Sequence, residues 1–142
     1  MKDAWILAPL LVQVLLTIAM YIRLAGAKKR AVAANEVNEA RRALHDDAWP
    51  DYVMQINNNI RNQFEVPVLF YVLVFALLSL QRADLAAQAL AWLFALSRIG
   101  HALVHTGSNY VPLRRRIFTV GVLVLLAMTV LTAVRLAQTA IP

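Results

Sequence analysis

The residues best equipped for chemistry fall in two short stretches. The first is Gln55-Ile56-Asn57-Asn58-Asn59-Ile60-Arg61-Asn62-Gln63-Phe64-Glu65-Val66-Pro67. On a helix, Asn58, Asn62 and Glu65 fall at i, i+4 and i+7 and share a face, with Asn57, Arg61 and Glu65 on an adjoining stripe. The second holds Arg98, His101 and His105 at i, i+3 and i+7, just ahead of Asn109 and the run Arg114-Arg115-Arg116. Gly100 beside them lets a neighbouring helix approach closely. A set made of Arg, His, Asn and one Glu suits binding of an anionic or zwitterionic ligand and stabilisation of a thiolate or oxyanion. His101 and His105 also have metal-ligand spacing, with Glu65 as a conceivable third ligand. Against that, Ala102 follows His101 where a metalloprotease helix needs glutamate, and Arg98 repels a cation. No metal is expected. Nothing in the chain forms a phosphate loop, a nucleophile elbow or a pair of facing carboxylates.

The elements that carry these residues are apolar runs. The chain has 142 residues, 61% hydrophobic and 15% charged, with mean hydropathy +0.60. A soluble domain has about a quarter charged residues. Ala4 to Ile22 has no charge and is long enough to cross a bilayer, which takes about 20 helical residues. Ala25-x-Ala27 after it resembles a signal-peptidase site, but the run is longer than a signal core and Arg23 interrupts it, so it reads as a first transmembrane helix. Val66 to Leu80 is short for a span, so the second helix extends back through Gln63 and the asparagines. Leu85 to Ser97 continues through Arg98 to about Val104. Ile117 to Val134 is the fourth run. Helices at about 4–26, 52–81, 84–106 and 115–138 follow, in one all-α transmembrane domain over 1–142. Gln81 to Asp84 and Thr106 to Pro112 read as loops. Asn35 to Leu44 reads as a short amphipathic helix within the polar segment 27–50.

Charge placement gives orientation and excludes nucleic acid. The net charge is +6 and the pI about 10.3, but the basic residues gather at the ends of apolar runs, as in membrane proteins. Lys28, Lys29, Arg30, Arg41 and Arg42 lie in the first loop and Arg114 to Arg116 in the third, against Lys2, Arg82 and Arg135 on the opposite side. Positive residues favour the cytoplasm, which places both termini outside. There is no cysteine, so disulfides and thiolate ligands are excluded.

Polar side chains inside these runs cannot face hydrocarbon, because each unsatisfied group costs several kcal/mol there. Two roles are open to them. Glu65 paired with Arg61 or Arg98, and asparagines bonded between helices, would fix the bundle's register. Alternatively they line a site, the default reading of intramembrane ionisable groups. Either way Glu65 is expected to be buried and bonded to Arg61, to Arg98 or to an arginine of a neighbouring subunit. Pro67 leaves the Gln63 carbonyl without a helical donor and bends the helix beside Glu65. Helices one and four offer only Gln13, Thr17, Thr119 and Thr129 to meet these clusters, so more than one chain is expected to enclose them.

The chain resembles the MAPEG superfamily (membrane-associated proteins in eicosanoid and glutathione metabolism), in a bacterial-type member. The resemblance rests on four spans, a long basic first loop, Asn62-Gln63-Phe64-Glu65 followed by Pro67, and Arg98-Ile99-Gly100-His101 late in helix three. It implies a homotrimer in the inner membrane, surrounded by lipid, with sites between subunits toward the cytosol. It further implies glutathione as co-substrate, a transferase or peroxidase activity on lipophilic electrophiles, or, as in other members, lipid binding without catalysis. By similarity Asn62 and Glu65 would hold the tripeptide, Arg98 its charged end, and Arg114 or Arg115 its sulfur. Asn58, Arg61, His101 and His105 complete the implied binding set. Asn58 stands where glutathione binders of the superfamily usually carry arginine.

Overall fold

The computed structural model describes residues 2–140, and among them all regular structure is helical. Five α-helices follow in order: α1 (Leu7–Ala33), α2 (Asp51–Gln63), α3 (Val66–Ser79), α4 (Leu85–Thr106) and α5 (Val111–Ala140). Short 3-10 turns occupy Lys2–Ile6 and Asp46–Ala48. Four helical segments are long and apolar enough to cross a membrane: Asp3–Ala33, Asp51–Ser79, Leu85–Thr106 and Val111–Thr139. The second of them is α2 and α3 together.

Each helix buries a narrow stripe and leaves the rest apolar and uncovered. On α1 the buried residues are Pro9, Leu10, Gln13, Met20, Leu24 and Ala31; from Leu10 onward they are spaced by threes and fours or their sums, as one helical face requires. Leu11, Leu15, Ile18 and Ile22 on the same helix are exposed, as are Leu123, Leu126 and Val130 on α5. In water such surfaces would drive aggregation; in a bilayer, acyl chains cover them. α4 packs along its length against α5 through small residues. Ala87 and Ala91 are buried in one cluster with Val124, Leu125 and Met128 of α5, and a Cβ added at Gly121 would stand 3.0 Å from the Ser97 hydroxyl. Small residues at such contacts let two backbones come close.

The interior is divided. One apolar cluster joins Ile6, Leu10, Phe70, Val74, Leu77, Phe94, Val124 and Met128, with Phe70 and Phe94 stacked at 4.5 Å between ring centroids. A second joins Met20, Leu24, Val53, Ile56, Ile60 and Ala102. Where the two meet, α1, α2 and α4 contribute Gln13, Asn59, Gln63 and Arg98, all buried. A polar layer therefore separates two apolar ones.

Several boundaries differ from the sequence-based expectation. The second span is not one helix, because it breaks at Phe64 and Glu65, where Glu65 has φ −98° and ψ −92°. Pro67 is the cause: it lacks the amide that would bond the Gln63 carbonyl and sits in the first turn of α3, where proline is tolerated. α1 runs on to Ala33, since Ala27-Lys28-Lys29-Arg30-Ala31 are strong helix formers. α5 starts at Val111, with Pro112 in its first turn, so Arg114, Arg115 and Arg116 project from a helix and not from a loop. Asn35 to Leu44 forms turns instead of an amphipathic helix. Asn35 takes φ 55°, a left-handed conformation that ends α1, and Arg41 and Arg42 pair locally with Asp47 and Glu39. A stretch this short does not repay helix nucleation.

Candidate functional site

The helix break and the close α4–α5 packing bring one set of polar residues to a common cleft. It is lined by Asn62 from the end of α2, His101 and His105 from α4, and Val111, Arg114, Arg115 and Phe118 from α5, and encloses about 230 Å³. Arg98 lies behind it, 1% exposed. Its Nη2 donates to the Asn62 carbonyl at 3.3 Å, its guanidinium carbon is 5.8 Å from the Phe118 ring centroid, and its Nε has no partner. His101 and His105 are 3% and 4% exposed, with ring centroids 5.4 Å apart and edge to face. The His101 Nδ1 also has no partner. Arg114 is held by the loop, its Nη1 donating to Asn109 Oδ1 at 2.5 Å. Asn109 is placed by its own left-handed backbone, φ 51°, which asparagine tolerates better than most residues.

The wall is thus rich in donors and poor in acceptors, with an aromatic and aliphatic side supplied by Phe118 and Val111. Arginines and histidines around a partly buried cleft attract an anion, and Coulomb attraction is stronger there than in bulk water. Arg115 is exposed beside the cleft and makes no ion pair among the described residues. A carboxylate or thiolate entering the cleft finds guanidinium groups with hydrogens free.

Of the residues singled out in the sequence, Asn62, His101, His105, Arg114 and Arg115 line it, and Arg98 stands behind it on the Asn62 carbonyl. Asn58, Arg61 and Glu65 do not line the cleft. Asn58 is half-buried and its carbonyl accepts from Asn62 Nδ2 at 2.9 Å, a bond within one helix turn. Arg61 is exposed and pairs with Asp46 of the first loop, so it is not the partner of Glu65. Glu65 is exposed and has no ion pair or hydrogen bond among the described residues. The expectation of a buried, paired Glu65 is corrected for a single chain: the break that follows Gln63 turns the residue outward. Glu65 remains close enough to Arg98 for their charges to interact. Among the described residues, no three His, Asp or Glu side chains gather as a metal site would require.

Three buried polar residues escape the sequence pattern: Gln13, Asn59 and Gln63, each at most 1% exposed. Gln13 Nε2 donates to Gln63 Oε1 at 2.7 Å, and Gln63 Nε2 to Asn59 Oδ1 at 3.1 Å. Asn59 Nδ2 lies 3.4 Å from His105 Nδ1. A signal for two of them is present, since Val53, Ile56 and Ile60 form an apolar stripe on α2 that carries Asn59 and Gln63 inward with it.

The cleft lies at the polar end of four apolar spans, and the polar layer behind it is shared by α1, α2 and α4. A family model described as the MAPEG family matches residues 6–134, a range that takes in the cleft, the polar layer and most of every span. No curated protein and no solved structure matches the chain. With that match over nearly its whole length, and with a helical, four-span membrane architecture, the chain belongs to the MAPEG family.

Proposed function

We propose that this membrane protein binds glutathione in the donor-rich cleft and activates its thiol for transfer to a lipophilic electrophile. The observation that carries the reading is the convergence of Asn62, His101, His105, Arg114 and Arg115 on one cleft with an apolar wall. Glutathione has two carboxylates and a thiol that must lose its proton to react. Lowering a thiol pKa by about two units takes roughly 3 kcal/mol of preferential thiolate stabilisation, within reach of a guanidinium in a partly buried site. The proton leaves to water. The sulfur then bonds to the electrophilic carbon as its leaving group departs. In the peroxidase variant it attacks the terminal peroxide oxygen, the O–O bond breaks, the alkoxide takes a proton from water and leaves as the alcohol, and the glutathione sulfenic acid condenses with a second glutathione to the disulfide and water. Val111 and Phe118 form the side by which an apolar co-substrate enters from the bilayer.

The proposal includes a homotrimer with both termini on the non-cytoplasmic side. Glu65 and Phe64 are exposed in the single chain at the helix break, and a carboxylate at that depth is costly beside lipid. A neighbouring subunit covering the break removes that penalty and completes the cleft. Family membership supports three subunits; burial alone calls for more than one.

Titration of glutathione into the detergent-solubilised protein, followed by ultraviolet absorption of the thiolate and a conjugation assay with a chlorodinitroarene, tests the reading. Binding, a thiolate band at neutral pH and turnover are expected, with Arg114→Ala or Arg115→Ala removing the band. Absence of glutathione binding sinks it.

A second reading, a lipid-binding protein without catalysis, has its own support. A groove of about 350 Å³ between α3 and α5 is lined by Val66, Leu69, Val72, Leu73, Val122, Leu125, Leu126 and Thr129, suited to an acyl chain. Asn58 also occupies the position where glutathione binders of the superfamily usually carry arginine. A lysophospholipid that binds while glutathione does not would favour this reading.

A further inference from the structure

The buried amides do not line the cleft, yet they connect to it. Gln13, Gln63 and Asn59 form a continuous hydrogen-bonded series from α1 across α2 to His105 on α4. An amide has one acceptor end and one donor end, so each bond in the series fixes the orientation of the next group. With Gln13 donating to Gln63 Oε1, the Gln63 nitrogen must turn to Asn59 Oδ1, and the Asn59 nitrogen must turn to His105. His105 Nδ1 then accepts, and its proton resides on Nε2.

We propose that Gln13, Gln63 and Asn59 act as an orientation relay that fixes His105 as the neutral tautomer protonated on Nε2, so that its cleft-facing edge donates to a bound anion. The three amides are positioning residues, because none of them touches the cleft. The anion part of the statement rests on the function proposed above; the tautomer does not.

The series is self-consistent in one other sense, with every amide turned over and His105 carrying its proton on Nδ1. One feature selects between them. In the direction described, the group left without a partner is the Gln13 Oε1 oxygen. Reversal would instead leave the Gln13 NH₂ without a partner in the bundle interior, and orphaned N–H groups are the rarer defect. The cleft gives that choice its consequence. His105 lines it, and with Nδ1 turned to Asn59 the opposite edge, Nε2, is the one available there. Arg98 and Arg114 lie within Coulombic range of this ring and oppose a donor edge in an empty cleft. An anion seated against His105 and Arg114 removes that opposition and accepts from both, with the Arg98 charge behind them. The relay therefore makes His105 a donor that favours an anion over a cation or a neutral donor.

The test is nitrogen NMR on protein with ¹⁵N-labelled histidine in lipid nanodiscs, without ligand. The chain has three histidines, and His105→Gln assigns the signal. The expected wild-type spectrum shows a bare Nδ1 and a protonated Nε2 at position 105. Asn59→Asp, which can only accept when ionised, should move the proton to Nδ1. Gln13→Leu frees the relay at its origin and should produce a mixture of tautomers; it keeps the test open if Asn59→Asp fails to fold. A wild-type His105 protonated on Nδ1 overturns the proposal, as does a tautomer unchanged in both variants. Glutathione titration of the same samples should show at least tenfold weaker binding for Asn59→Asp. If wild type fails to bind glutathione, the function proposed above fails, while the spectra alone still decide the relay.

Discussion

Arg98 is the residue where stability and function pull apart. Its guanidinium is buried, donates one hydrogen bond to a backbone carbonyl and leaves Nε without a partner. Replacing a poorly compensated buried ion by an apolar side chain of similar size is often neutral or stabilising. Arg98→Met is therefore expected to hold or raise the thermal midpoint in detergent. It should weaken glutathione binding at least about tenfold, which corresponds to about 1.4 kcal/mol. Scanning fluorimetry and calorimetry on the same preparation check both halves, and a large loss of stability would mark Arg98 as structural. Glu65 contrasts with it. The sequence places it in the same polar stretch, but its side chain faces outward in the single chain, so any partner it has must come from another molecule or from water.

Among the elements, the α2–α3 break is the device that shapes the cleft. An unbroken helix would commit the Asn62 carbonyl to the Val66 amide, and Arg98 would lose its acceptor. Pro67→Ala restores an amide to the Gln63 carbonyl. It is expected to slow hydrogen exchange over 63–67 and to lower ligand affinity without unfolding the protein. Unchanged exchange across the break would show that tertiary packing, and not Pro67, maintains it. The end of α4 depends on a different contact. Arg23 of α1 donates to the Thr106 hydroxyl at 2.7 Å and to its carbonyl at 3.0 Å, capping the last turn beside Gly107. Charge-assisted bonds contribute about 1.5–3 kcal/mol when well shielded, but Arg23 is exposed and the value must be discounted. Arg23→Leu is expected to destabilise the bundle by about 1 kcal/mol, read from denaturant titration in mixed micelles. An effect near zero would mean that water or lipid headgroups cap α4 equally well.

At the scale of the whole molecule, two expectations concern assembly and orientation. Native mass spectrometry from mild detergent should find the protein as an oligomer, with three chains the expected number. A stable monomer that binds glutathione with full affinity would remove the argument from the exposed helix break. Topology is checked separately. A reporter active only in the cytoplasm should be silent when fused after the last residue and active when inserted in the first loop, because Lys28, Lys29 and Arg30 at the end of α1 and Arg41 and Arg42 in the loop gather on that side. The reverse pattern would place the cleft on the non-cytoplasmic side, away from any cytosolic thiol.

The sequence by itself determined the number of spans, the family and most of the cleft. Bilayer thickness is a fixed length, so an uncharged run from Ala4 to Ile22 or from Ile117 to Val134 needs no tertiary information to be read as a crossing. Arg98, His101 and His105 were legible for a related reason: ionisable groups within such a run stand out against a solvent that cannot accept them. What only the tertiary structure decided is which way each polar stripe turns. In a membrane, the lipid-facing and the buried sides of a helix are equally apolar, so the contrast that identifies an inner face in a soluble protein is weak here. Asn57, Asn58 and Asn59 are chemically identical neighbours, and only the packing of α2 against α1 and α4 sends Asn59 inward to His105 and leaves Asn58 at the margin. Spacing puts Glu65 on the face of Asn62 only along a regular helix; once the helix breaks, that spacing no longer fixes a common face, and in the single chain Glu65 is exposed. Gln13, single and uncharged in a long apolar run, gained its role only when the fold set Gln63 opposite it, since a hydrogen bond between distant segments exists in three dimensions and not in spacing.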